Sequence, residues 1–129
     1  MDYGTDPADR LTLIETSISK PPARILVLRG TVNWWDEPSL RAALTRALTA
    51  AEGPLIVDVG SLEHADAVLL GLLLAARTHI RLHLVGPLSR FLARRLDVTG
   101  TRHVFRTHPN LTAALAAIAA AGAPGAPGV

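Results

Sequence analysis

The chain has 129 residues, 49% of them apolar and 19% charged, and it contains no cysteine. Its length fits one domain, and its composition excludes disorder of the whole chain. The lack of cysteine excludes disulfides, thiolate metal sites and a cysteine nucleophile. Residues 1–10 contain no apolar segment, and the longest apolar stretch, residues 67–76, is about half as long as a membrane span. We therefore expect a soluble, cytoplasmic protein with no membrane segment.

Charge is unevenly distributed along the chain, although the net charge is only +2. Residues 1–66 hold 6 basic and 10 acidic side chains, whereas residues 67–129 hold 7 basic side chains and 1 acidic one. Such asymmetry is typical of nucleic-acid binding, or of two differently charged faces that meet a partner. The arginines are scattered and aromatic residues for base stacking are scarce. The sequence therefore favours the second interpretation.

The hydrophobic pattern predicts five strands and four helices that largely alternate. Short aliphatic and β-branched runs predict strands at residues 11–18, 24–29, 55–59, 81–86 and 102–106. Apolar residues repeated at three and four predict helices at about 38–51, 88–97 and 110–121, and Asp66 is expected to cap another helix that runs to about residue 78. The first ten residues are expected to be flexible and the tail, residues 122–129, to be disordered, which leaves one domain at 11–121.

The alternation of strands and helices predicts an α/β domain with a mixed, mostly parallel sheet. The first strand alternates only weakly and is expected at the edge of the sheet. Asp36 and Asp66 are the expected N-caps of the first and second helices. The third helix is expected to place four apolar residues on one face: Leu88, Phe91, Leu92 and Leu96.

Three stretches of the chain, in this order and spacing, resemble the STAS family of anti-sigma-factor antagonists. The first is GTVN at residues 30–33, followed by Pro38 and Leu40. The second is LIVDV at residues 55–59, followed by Leu62, Ala65 and Asp66. The third is LVG at 84–86, followed by Leu96, by VTG at 98–100 and by VF at 104–105. The resemblance covers about residues 11–118 and implies a single STAS-like domain.

The resemblance also implies a function, because many STAS antagonists bind an anti-sigma factor that is itself a kinase. Their loop before the second helix reads Asp-Ser-Ser-Gly-Leu-Gly, and the partner phosphorylates the second serine. The matching stretch here runs from Asp66 to Gly71, with Ala67 and Val68 at the two serine positions. Asn33 replaces the usual aspartate of the first turn. Val68 is thus a degenerate phosphoacceptor position, and we expect binding without phosphorylation there.

The resemblance places the partner-binding residues around this loop: Asn33, Trp34, Trp35, Asp66, Ala67, Val68, Leu69 and Thr99. Each residue type also has a simpler structural explanation. Helix capping is the favoured explanation of Asp66, whereas core packing explains Val68 and Leu69 as well as partner contact does. Of the two indoles, one is expected on a binding surface and the other against the core. The arginines at 90, 94, 95, 102 and 106 form either a basic patch or a solvated helix face.

Nothing in the sequence indicates an enzyme, a metal site or a cofactor. There is no glycine-rich phosphate loop after a strand, no marked catalytic triad and no pair of carboxylates that converge by spacing. His79 and His83 are four residues apart, but a helix end and a strand start separate them. Two other functions remain open: a scaffold domain that self-associates, for example as a homodimer, in a larger signalling or transport complex, and a sensor of nucleotides or small ligands.

Overall fold

The computed structural model describes residues 10–50 and 53–122. Its five strands are β1 (Leu11–Ser19), β2 (Pro22–Val32), β3 (Leu55–Ala65), β4 (Leu82–Val85) and β5 (Arg106–His108). Its four α-helices are α1 (Glu37–Ala50), α2 (Ala67–Ala76), α3 (Arg90–Val98) and α4 (Leu111–Gly122). Two short 3-10 turns lie at Trp34–Asp36 and Arg102–Val104. The ends expected to be flexible, 1–10 and 122–129, lie outside the described residues except for Arg10 and Gly122.

The strands form one mixed sheet in the order β1-β2-β3-β4-β5. β1 pairs antiparallel with β2 and occupies the edge. β2, β3, β4 and β5 are parallel, joined through α1, α2 and α3. The prediction of a mixed, mostly parallel five-stranded sheet with four helices is confirmed. Parallel neighbours require crossover connections, and the helix between each pair of parallel strands supplies them.

Alternate residues of the strands pack into two separate apolar clusters, one on each face of the sheet. On the first face, leucine and valine side chains of β2, β3 and β4 pack with α1, α2 and α3. On the second face, a smaller cluster packs beneath α4 and includes Ala23, Ile25, Ile56, Val85 and Ala114. The two-residue period of a strand is what divides its side chains between the two clusters.

β3 is longer than the sequence predicts, because residues 60–65 continue the strand and do not form a loop. Its first four residues pair with β4, and the remainder pairs only with β2 as far as Val32 and Ala65. Register shifts between Val27 and Arg29 and between Gly30 and Thr31 accommodate the extension. The polar sequence GSLEH conceals this strand, since backbone pairing with a neighbour is not visible in local composition.

A glycine contact marks the point where β4 ends and β3 continues, paired only with β2. Gly86 follows β4 with a φ of +101°, and a Cβ built there would lie 2.5 Å from the Cα of Gly60. Only glycine fits such a crossing without displacing the backbone. The chain turns away from the sheet at this crossing, and α3 then packs beside the end of β3.

The last strand is displaced from its predicted position at residues 102–106. Arg102–Val104 form a 3-10 turn, in which the Val104 amide donates to the Thr101 carbonyl over 3.1 Å. Phe105 is buried in the first-face cluster, and pairing with β4 begins only at Arg106. The apolar pair Val104-Phe105 resembles a strand in sequence, but it packs inward from a turn.

The third helix begins two residues later than predicted, at Arg90. Ser89 is its N-cap, and its hydroxyl accepts a hydrogen bond from the Leu92 amide over 3.1 Å. Leu92 and Leu96 are buried, as expected, whereas the Phe91 side chain lies at the surface. The expected single apolar face of this helix is therefore wrong, because Phe91 points away from the core.

Candidate partner-binding surface

The predicted binding residues lie mainly where two adjacent strands end. Val32, the last residue of β2, pairs with Ala65, the last residue of β3. The Asp66 amide donates to the Val32 carbonyl over 2.8 Å and extends this pairing by one residue. Because β2 and β3 are parallel, the segment after each strand begins at the same edge. We call this site the strand-end surface: Asn33, Trp34, Trp35, Asp66, Ala67 and Val68.

The segment after β2 is a tight turn held by a carboxylate. Asp36 Oδ2 accepts a hydrogen bond from the Asn33 amide over 2.8 Å, and the Asp36 amide donates to the Asn33 carbonyl over 3.0 Å. Asp36 is therefore the last residue of a 3-10 turn, and its carboxylate points back along the chain. The prediction that it caps α1 is wrong, because the turn occupies the position where a capping residue was expected.

The two tryptophans are both exposed, which corrects the expectation that one would pack against the core. Trp34 is 68% exposed and Trp35 is 60% exposed. Their rings meet edge to face, with centroids 5.7 Å apart. Adjacent residues in a short 3-10 turn point in different directions, and here neither direction leads into the core. The turn thus presents two large aromatic side chains to solvent.

The segment after β3 begins α2 with apolar residues. Asp66 occupies the N-cap position with extended backbone angles, but its carboxylate makes no capping hydrogen bond. Ala67 is exposed, and Val68 is half-buried and packs against the first-face cluster. Leu69 is only 1% exposed, so its side chain supports the surface from beneath and is not available to a partner. We therefore exclude Leu69 from the contact residues.

Thr99 lies outside the strand-end surface. It follows α3, eight residues after Phe91, which corresponds to about 12 Å along a helix axis. Its hydroxyl donates to the Arg95 carbonyl over 2.8 Å and lies 2.7 Å from the Thr101 hydroxyl. The structure thus assembles six of the eight predicted residues at one edge, buries Leu69 beneath them, and leaves Thr99 at the far end of a neighbouring helix.

A stack of three side chains links β3 to α3. The ring centroids of His64 and Phe91 are 4.4 Å apart, and the Arg95 guanidinium lies 4.9 Å from the centre of the Phe91 ring. This stack joins the edge that carries the strand-end surface to the outer side of α3. Sequence reasoning missed it, since His64 falls in the segment expected to be a loop and Phe91 was assigned to the core.

A histidine pair, of which His83 is the buried member, lies on the second face of the sheet, away from this edge. His83 on β4 is 2% exposed, and its Nδ1 lies 2.9 Å from Nε2 of His108 on β5. Burial, with the nearby positive charge of His108, Arg106 and Arg81, lowers the pKa of His83 to about 4. In the part of the chain that the structure describes, no three His, Cys, Asp or Glu side chains cluster as metal ligands do.

Comparison with solved structures identifies the fold. An anti-sigma factor antagonist from Mycobacterium paratuberculosis superimposes with a TM-score of 0.77 at 20% identity, over 88% of this chain and 97% of that one. An anti-sigma-factor antagonist (STAS) domain protein from Planctomyces limnophilus gives 0.67 at 15% identity, over 82% and 96%. The chain has the STAS fold. The Bacillus cell fate determinant SpoIIAA in its phosphorylated form gives 0.65 at 15% identity, over 83% and 99%.

The sequence itself gives no comparable match. No protein-family model and no curated protein matches it. Across residues 10–50 and 53–122, no helix has the length and apolar character needed to cross a membrane. The STAS fold is thus recognised from the three-dimensional arrangement at sequence identities of 20% and below.

Proposed function

We propose that this STAS domain is a non-enzymatic cytoplasmic regulator that binds an anti-sigma factor or another kinase-like signalling protein through the strand-end surface. The observation that carries the proposal is the exposure of Trp34 and Trp35 beside the apolar first turn of α2. Exposed tryptophans are unusual in a monomer, and they are enriched among the residues that dominate binding energy. The solved structures that resemble this chain include anti-sigma factor antagonists.

Recognition at this surface is expected to be mainly apolar. Ala67 and Val68 extend the apolar area offered by the indoles, and the buried Leu69 holds the helix start in place. Asp66 adds a carboxylate that has no capping partner of its own. A complementary partner therefore offers an apolar pocket with a hydrogen-bond donor or a cation at its rim.

We further propose that no phosphorylation at position 68 switches this binding. A phosphate at a helix N-terminus adds nearly two negative charges where backbone amides and the helix dipole stabilise them. Valine has no hydroxyl to accept a phosphoryl group, so this addition cannot occur on its side chain. The domain then stays competent to bind whether or not its partner has kinase activity.

Affinity capture from the native cell tests the binding proposal through matched variants. We expect wild type and Ala116→Asp, a charge added to the exposed side of α4, to capture the same protein. Val68→Asp and the double variant Trp34→Ala/Trp35→Ala should lose it. With the captured protein purified, calorimetry should show at least a tenfold weaker affinity for these two variants. Equal affinity of all four proteins would contradict the proposed surface.

Labelled ATP tests the absence of the switch. Incubated with the captured partner, the wild type should gain no label in residues 66–71 and should keep its affinity. Val68→Ser, which restores a hydroxyl at that position, is the positive control for kinase activity of the partner. Loss of wild-type binding on addition of ATP, with label at another residue such as Ser61, would show that a different hydroxyl has taken over the switch.

A further inference from the structure

Helix α3 presents a second side-chain stripe that the core does not use. Leu92 and Leu96 point into the first-face cluster. On the outer side, Phe91 and Val98 are 36% and 77% exposed, with arginines between them. We call this side the arginine face: Arg90, Phe91, Arg94, Arg95 and Val98. A groove of about 270 Å³ runs along it, lined by Phe91, Arg94, Arg95, Val98 and Thr99.

The guanidinium groups of the arginine face have no acidic partner within the described residues. The salt bridges between described residues involve other arginines. They join Glu37 to Arg41, Glu15 to Arg46 and Asp97 to Arg102. Arg95 rests on the Phe91 ring, and its Nε is buried without a hydrogen-bond partner. An apolar groove bordered by unpaired cations fits a surface that offers carboxylates beside large apolar or aromatic side chains.

The chain itself carries such a surface. Glu63 and Asp66 lie at the end of β3 and form no salt bridge within residues 10–50 and 53–122. Trp34 and Trp35 are exposed at the end of the adjacent strand. Two acidic residues of the acidic first half, Glu63 and Asp66, and the arginines of α3 in the basic second half thus lie on two distinct surfaces. One is acidic and aromatic, and the other is basic with an apolar groove.

The two surfaces are neighbours on one molecule, because the stack of His64, Phe91 and Arg95 joins the end of β3 to α3. We propose that two copies of this chain associate through them, with the arginine face of each against the tryptophans, Glu63 and Asp66 of the other. Since the surfaces adjoin, a two-fold axis between them lets both contacts form at once and closes the assembly as a dimer.

This dimer has a consequence for binding, because it covers the tryptophans that the proposed partner is expected to use. Self-association and partner binding then compete for the same indoles. The inference nevertheless stands apart from the proposed function, since the dimer is measured on the pure chain. Its failure would leave the partner proposal untouched, and absence of a partner would leave the dimer untouched.

Charge reversal of each surface, followed by mixing, tests the dimer. Light scattering over a concentration series should show the wild type rising from the monomer mass toward twice that mass. Arg90→Glu/Arg94→Glu makes both surfaces acidic, and Glu63→Arg/Asp66→Arg makes both basic, so each variant alone should stay monomeric. Their equimolar mixture should form a one-to-one complex, because every contact between them is again between opposite charges.

Controls separate the contact from folding and from net charge. Arg77→Glu reverses an exposed arginine after α2 and should leave the dimer unchanged. Glu63→Gln/Asp66→Asn removes charge with little change of shape and should weaken association at least tenfold, and thermal unfolding verifies that each variant is folded. A wild type that stays monomeric throughout the series, or reversal variants that dimerise alone, overturns the proposal. So does a mixture of the two folded reversal variants that remains monomeric.

Discussion

The two faces of the sheet are built differently. The first face is covered by three helices and has a large, wholly apolar cluster rich in leucine. Within residues 10–50 and 53–122, α4 is the one helix that covers the second face, which has a smaller cluster and buries the polar His83 against His108. The first face therefore holds most of the apolar area that stabilises the fold, while the second contains a group whose charge state depends on pH. The strand-end surface and the arginine face both border the first face.

Truncation of a leucine on each face tests this difference and has the largest expected effect. Leu73 of α2 is 1% exposed in the first-face cluster. Leu73→Ala should lower the free energy of unfolding by about 2–5 kcal/mol, because it leaves a cavity among close-packed neighbours. Leu115 of α4 is half-buried, and Leu115→Ala should cost less than half as much. Urea titrations measure both, and equal losses would mean that the faces contribute equally.

A pH series on the second face should show an intermediate effect. Since the folded-state pKa of His83 is lowered to about 4 from 6.5, the unfolded chain binds more protons between these values. The contribution of neutral His83 to the free energy of unfolding should be fully present above pH 6.5. It should fall as the pH drops toward 4, with a total loss of roughly 2–4 kcal/mol. His83→Gln should flatten this slope, whereas His79→Gln, at an exposed site, should not. An unchanged slope in His83→Gln would assign the pH dependence to other groups.

The smallest expected effect on stability is at the border of the first face. Trp34→Ala removes the largest type of side chain, but this side chain is 68% exposed and its described ring contact is with Trp35. The free energy of unfolding should change by less than about 1 kcal/mol. A thermal melt beside Leu73→Ala provides the comparison. A loss as large as that of the leucine variant would show that the indole packs into the fold.

Local pattern was enough to predict most of the fold. The apolar runs of β2, β3 and β4, the three-and-four spacing in α1 and α4 and the continuous apolar stretch of α2 gave the order of elements, the parallel sheet and the edge position of β1. They did so because burial on one or both sides imposes a period on the sequence that is visible without any neighbour. The absence of a hydroxyl on Val68 in the first turn of α2 is likewise a property of the sequence alone.

The errors occur where pairing with another element, or the geometry of a local turn, decides the structure. Residues 60–65 are polar and resemble a loop, yet backbone pairing with the end of β2 makes them a strand. Val104 and Phe105 resemble a strand, yet a turn directs Phe105 into the first-face core. Asp36 resembles a cap, yet its carboxylate accepts from the Asn33 amide and closes the turn. In each case the partner atom lies on another element or in a turn geometry that composition does not encode.

The sequence by itself determined the succession of elements, the division of charge between the two halves and the absence of a hydroxyl at position 68. Only the tertiary structure decided that both tryptophans face solvent, that His83 meets His108, and that Phe91 leaves the core to stack between His64 and Arg95. The physical reason is that periodicity reports which residues are buried, whereas the relative placement of strands and helices determines which exposed residues become neighbours.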